Sequence, residues 1–133
     1  MVEHDQAVLH VCITCKGPDN AELVPGTDPP GRRLYESAAA LENWNGAVIR
    51  VAPVVCLANC ERGCSVAVSA PGKWAYVMGG LDDSRGADLL LYGAAYARSE
   101  SGTVLREHRP QSLRHAVIAR LPALPLDDEG RPA

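Results

Sequence analysis

Apolar positions along the chain change their period several times, and each change marks an element. Ala7-Val8-Leu9-His10-Val11-Cys12 is a short, mostly apolar run of strand length. From Thr14 to Gly31 the chain carries three Gly and four Pro and reads as a long loop, which in a compact domain points to function or disorder. Helical spacing follows over 32–44, where Leu34, Ala38 and Leu41 recur at i, i+4 and i+7, and Asn45-Gly46 supplies a stop. Residues 47–55 are rich in β-branched side chains and read as a second strand, with Pro53 near its end. The alternating runs 65–69 and 73–78, joined by Ala70-Pro71-Gly72, predict a β-hairpin. Asp82, Asp83 and Ser84 offer capping and dipole complementarity to a helix over about 84–99, with Leu89, Tyr92 and Tyr96 on one face. Another helix is expected after Pro110, with Leu113, Val117 and Leu121 inward.

The predicted order is strand, helix, strand, strand, strand, helix, helix: an α/β fold with a mixed four-stranded sheet and flanking helices. One domain is expected over 1–125, followed by a flexible acidic tail over 126–133. At 133 residues with 47% apolar content, the chain can build one core. Phe is absent, so Val, Leu, Ile and Ala must fill most of it. A net charge of −3 argues against a nucleic-acid partner. No apolar run approaches the roughly 18 residues that span a membrane, and Met1-Val2-Glu3-His4-Asp5 lacks the pattern of a signal peptide. A cytoplasmic location is therefore expected.

In that reducing compartment, the five cysteines point to metal or redox chemistry rather than structural disulfides. Cys12 ends the first strand, with Cys15 just after it; Cys56 follows the second strand, with Cys60 and Cys64 beyond. If the helix at 32–44 joins the two strands by a right-handed crossover, they are parallel neighbours about 4.8 Å apart. Both cysteine loops then leave the same sheet edge. Cys12-Ile13-Thr14-Cys15 and Cys56-Leu57-Ala58-Asn59-Cys60 together supply four thiolates, the usual requirement of a 2Fe–2S centre. Gly17 and Gly63 would let amide N–H groups approach sulfur. The same residues also suit a zinc site, zinc or cobalt handling, or thiol–disulfide exchange through Cys12 and Cys15. Lys16 stands where a haem link would need His.

The segment from Val55-Cys56 to Cys60-Glu61-Arg62-Gly63, followed by a strand and by Lys73-Trp74-Ala75-Tyr76, resembles the second half of the thioredoxin-like 2Fe–2S ferredoxins. Those proteins also draw cluster cysteines from the loop after their first strand, where Cys12 and Cys15 stand here. Over about residues 7–122 the chain resembles a bacterial family described as predicted metal-binding proteins, whose genes often lie near those for cobalamin biosynthesis. The quoted stretches are Val11-Cys12-Ile13-Thr14-Cys15, Cys56 to Cys64, and Arg109-Pro110 through Arg120-Leu121-Pro122. The resemblance implies a thioredoxin-like fold carrying one 2Fe–2S cluster on Cys12, Cys15, Cys56 and Cys60, with Cys64 beside it. It implies a one-electron carrier rather than an enzyme, a redox protein as partner, and a link to cobalamin metabolism; a homodimer is a compatible assembly. Two departures leave a rival set in which Cys64 replaces Cys15. The ferredoxins have a wider gap than Cys12 to Cys15, and often carry proline where Cys64 stands.

Trp74 is a candidate cluster shield, and Lys16 could lower the Cys15 pKa. His10 alternates within the first strand; its functional reading is a Rieske-type ligand, and its ordinary reading is a packed or surface histidine. His108 and His115 lie among Arg106, Arg109, Arg114 and Arg120, which read as a solvated basic face or a docking patch for an acidic partner. No Ser–His–Asp set, phosphate loop or carboxylate pair suggests a hydrolase.

Overall fold

The computed structural model describes residues 7–17, 25–42 and 49–123. Strand β1 (Ala7–Cys12) leads to helix α1 (Pro30–Ala40) and then to strand β2 (Ile49–Val54). A 3₁₀ turn at Cys60–Arg62 precedes strands β3 (Val66–Ser69) and β4 (Ala75–Met78), then helix α2 (Gly86–Arg98). Two further 3₁₀ turns, Arg106–His108 and Gln111–Leu113, lead to strand β5 (Val117–Leu121). The sheet order is β2-β1-β3-β4-β5. Strands β1 and β2 are parallel, and every other pairing is antiparallel. The hairpin expected at 65–78 is present as β3 and β4.

Alternation along the strands sorts the sheet into two faces. Leu9, Val11, Ile49, Val51, Val66, Val68, Tyr76 and Met78 are buried. Helices α1 and α2 cover that side, packing against each other and against β1 and β2. Close approach explains two glycines. A Cβ at Gly93 would lie 2.4 Å from Ile49 Cδ1, and one at Gly86 would lie 2.3 Å from Ser37 Oγ.

Three expectations need correction. The helix expected after Pro110 is instead a 3₁₀ turn and an edge strand, so the sheet has five strands rather than four. Leu113 is buried as expected, but Leu121 is 61% exposed. The β-branched pair Val117-Ile118 and the otherwise unpaired edge of β4 favour the ladder over the helix. Asp82 and Asp83 do not cap α2. Asp82 accepts the Ser84 amide at 2.9 Å in a turn before the helix, and Asp83 pairs with Arg33 at 2.7 Å. Helix α1 begins at Pro30, where a proline at the first helical position costs no hydrogen bond.

The opposite edge of the sheet is closed to further pairing along β2. Pro53 has no N–H to offer, and the Val51 amide is taken by the Glu42 carboxylate at 2.6 Å. Helix α1 ends at Ala40, with Leu41 and Glu42 already in a turn, short of the expected end at 44, and β2 ends at Val54. The Asn45-Gly46 stop, the start of the expected 47–55 strand, part of the 14–31 loop, and the 126–133 tail lie outside the described residues.

Candidate metal centre

Register places the two cysteine loops side by side. Cys12 is paired with Val54 in the parallel ladder, so the turns after β1 and β2 leave the same edge. Backbone bonds extend the match: Ile13 N–H donates to Val54 O at 2.9 Å, and the Thr14 hydroxyl donates to Val55 O. The third cysteine-bearing stretch joins from β3, since Cys12 N–H donates to Ser65 O at 3.0 Å.

Around Cys12 the loops supply hydrogen bonds to sulfur. The Thr14 hydroxyl lies 3.4 Å from Cys12 Sγ, and the thiol itself donates to Val55 O at 3.7 Å. Ala58 N–H donates to Cys56 Sγ at 3.2 Å, and Ala58 sits at φ +57°, in the left-handed region. Burial pulls the Cys12 thiol upward, but hydrogen bonds from Thr14, Cys15 and Leu57 outweigh it and the net shift is downward.

Cys15 is buried against three glycines. A Cβ at Gly63 would lie 3.0 Å from Cys15 Cβ and 3.2 Å from its Sγ; one at Gly31 would lie 2.1 Å from Cys12 O. Gly17, at φ +102°, completes the turn, its amide nitrogen 3.5 Å from the Gly63 Cβ position. Burial and donation to Cys12 push the Cys15 thiol up to about 11. Cys64 is wholly buried and tied to Leu81 by reciprocal backbone bonds of 2.8 and 3.3 Å. Burial and the neighbouring Cys15 raise its thiol to about 12.

The five free cysteines therefore divide by environment: Cys12, Cys15 and Cys64 are buried, while Cys56 and Cys60 are exposed. Among the described residues, no group of three or more His, Cys, Asp or Glu side chains is drawn together closely enough to hold a single ion.

The remaining candidates lie elsewhere. Trp74 sits before β4, at the end remote from Met78 and Val66, with the Arg120 guanidinium 4.1 Å from its ring centre. It is separated from the cysteines by the length of the strand. His10 points to the other sheet face, its Nε2 3.0 Å from Ser69 Oγ, and burial followed by the Arg50 charge lowers its pKa. His108 lines a cavity of about 410 Å³ beside Arg98, Ser99 and Thr103 at the C-terminal end of α2. Lys16 is exposed.

Ser65 and Asn59 carried no recognisable signal beyond their place in the cysteine segment, yet they join its loops. Asn59 Nδ2 donates to Ser65 Oγ at 3.0 Å, and the Ser65 hydroxyl donates to Asn59 O at 3.3 Å.

Residues 9–123 match the family described as a protein of unknown function, DUF1636. The chain belongs to that family. No functionally curated protein matches it. Among solved structures it is similar to a thioredoxin-like [2Fe-2S] ferredoxin from Aquifex aeolicus, with a TM-score of 0.50 and 14% identity over 87% of this chain and 93% of that one. The likeness establishes the thioredoxin-like fold of this family member. No described helix is long and apolar enough to cross a membrane.

Proposed function

We propose that this protein holds a 2Fe–2S cluster on Cys12, Cys15, Cys56 and Cys60, and carries one electron at a time to or from a redox partner protein. Cys64 is the adjoining buried thiol. The observation that carries this reading is the parallel register that sets Cys12 opposite Val54, so that the turns bearing Cys12, Cys15, Cys56 and Cys60 leave one sheet edge together. The Ala58 N–H aimed at the Cys56 sulfur suits a thiolate that stays ionised at such a centre. The donor set is soft, as such clusters require, and the bare Gly63 leaves room beside Cys15. That the structural neighbour is a [2Fe-2S] ferredoxin supports the same choice.

When bound, the cluster supplies reversible one-electron chemistry. The chain's own part is to hold the sulfurs, donate hydrogen bonds to them and keep water from Cys12 and Cys15. Exposed Cys56 and Cys60 put one side of the site at the surface, where a partner can approach. The resemblance to a family encoded near cobalamin-biosynthesis genes suggests an accessory role in corrin or cobalt metabolism, in a reducing cytoplasm.

A second reading has its own support. Cys12 is lowered while Cys15 is raised, the asymmetry of a thiol–disulfide exchange pair. Cys12, however, is only 2% exposed, which closes it to attack on a bulky disulfide and favours the metal reading.

Anaerobic purification with a visible spectrum and metal analysis separates the readings. A brown protein with about two iron and two sulfide per chain is expected. A colourless protein with stoichiometric zinc, or a metal-free one with a titratable Cys12–Cys15 disulfide, would overturn the proposal.

A further inference from the structure

The end of the sheet away from the cysteines carries a second concavity. The cavity of about 410 Å³ beside the last turn of α2 is lined by Ala95, Arg98, Ser99, Thr103, Val104 and His108. Clefts of about 300 Å³ and upwards hold small ligands. Trp74 N–H donates to Ser101 O at 2.9 Å, which ties this loop to the Trp74 end of β4.

Backbone bonds fix its walls in advance. Ser99 N–H closes α2 on Ala95 O and Tyr96 O, both at 3.1 Å. Gly102, at φ +86°, donates its amide to Ser99 Oγ at 3.0 Å. Val104 is held on both sides, its N–H donating to the Tyr76 hydroxyl at 3.3 Å and its carbonyl accepting Arg109 Nε at 3.0 Å. His108 ends a 3₁₀ turn, with its amide on Leu105 O at 2.9 Å.

The side chains lining these walls offer donors without acceptors. Among the described residues, the Arg98 guanidinium, the His108 ring and the Thr103 hydroxyl have no hydrogen-bond or ion-pair partner. Ser99 Oγ accepts from Gly102 and keeps its own proton to donate. No acidic side chain lines the cavity; Glu100 and Glu107, neighbours in sequence, stay outside it. The C-terminal dipole of α2 would oppose an anion here. Lys73 Nζ offsets it, donating to Tyr96 O at 3.3 Å and Ala97 O at 2.9 Å.

We infer that this cavity binds a small phosphate monoester. Arg98 and His108 take the phosphate oxygens, the Ser99 and Thr103 hydroxyls support them, and Ala95 and Val104 meet the apolar part of the ester. A guanidinium edge, an imidazole N–H and two hydroxyls outnumber the roughly four acceptor sites of a carboxylate. The terminal oxygens of a phosphate match such a set, and a guanidinium fork suits them. The inference is independent of the cluster reading.

The test is a titration of the full-length protein with phenyl phosphate in about 0.15 M salt, followed by amide NMR shifts. Saturable shifts are expected at Ser99, Thr103, Val104 and His108. Arg98→Gln and His108→Gln should each weaken binding about tenfold or more, as loss of a hydrogen bond to a charged group requires. Both side chains are exposed, so neither replacement disturbs the core. Arg114→Gln, at an exposed arginine outside the cavity, should bind like wild type. Benzoate, which keeps the ring but carries a carboxylate, should bind more weakly, as should inorganic phosphate, which lacks the ring. Three results would each overturn the inference: no saturation at millimolar phenyl phosphate, wild-type affinity in Arg98→Gln, or an equal loss in Arg114→Gln. Benzoate or inorganic phosphate binding as tightly as phenyl phosphate would overturn it too.

Discussion

A group removed from water keeps its neutral form unless hydrogen bonds replace the lost solvent, and this chain contains both outcomes. Cys12 is buried yet lowered, because Thr14, Cys15 and the Leu57 amide donate to it. Tyr96 lies in the core beside Tyr76, and burial first, then Tyr76, raises its hydroxyl to about 12. Tyr92 is raised by the same causes, and its hydroxyl has no hydrogen-bond partner among the described residues. Both tyrosines stay protonated when folded, while the unfolded chain releases these protons near pH 10. The unfolded state then binds fewer protons, so stability falls as pH rises from about 10 towards 12. Metal-free protein should show this loss in urea titrations across that range. Tyr92→Phe should be neutral or stabilising at pH 8, by up to about 1–3 kcal/mol, and should lose less stability in alkali. A marked destabilisation at pH 8 would contradict the unpartnered hydroxyl. At this scale the cysteines were conspicuous in the sequence because their spacing is unusual. Ser65 was not, because a serine before a β-branched run has the same appearance whether it is exposed or buried.

Among the elements, the start of α1 carries a sharp packing constraint. Gly31 donates its amide to Cys15 O at 3.0 Å, which brings the helix directly against the Cys12–Cys15 turn. A methyl at Gly31 would meet Cys12 O at 2.1 Å, a backbone atom that cannot rotate away. Gly31→Ala should therefore cost about 1–3 kcal/mol or more, read as a lower urea midpoint at unchanged slope. A variant as stable as wild type would show that the turn and helix do not touch as described. The elements were legible wherever the pattern was unambiguous, as in β1, the body of α1 and the β3–β4 hairpin. Strand β5 was misread because Leu113, Val117 and Leu121 also fit a helical stripe. The deciding fact was the unpaired edge of β4, which is a long-range property. Asp82 and Asp83 misled for a related reason, since a turn and an ion pair with Arg33 use the residues that otherwise cap a helix.

At the scale of the whole molecule, topology does what local spacing cannot. The right-handed β1–α1–β2 crossover sets Cys12 opposite Val54, and β3 returns alongside β1 to place Ser65 and Cys64 beneath the same edge. The pairing of the first two loops followed from the order of elements and was legible in advance, whereas the place of β3 beside β1 was not. The split into three buried and two exposed cysteines was not, because it depends on how α1 and the Leu81 segment close over the site. The most direct test is a Cys→Ser series in anaerobically reconstituted protein, read by bound iron, sulfide and visible absorbance. Cys12→Ser and Cys56→Ser, one from each loop, should each lose the centre or sharply alter its spectrum, as should Cys15→Ser and Cys60→Ser, while Cys64→Ser keeps it. An unchanged centre after removal of both sulfurs from either loop would contradict a cluster shared between them.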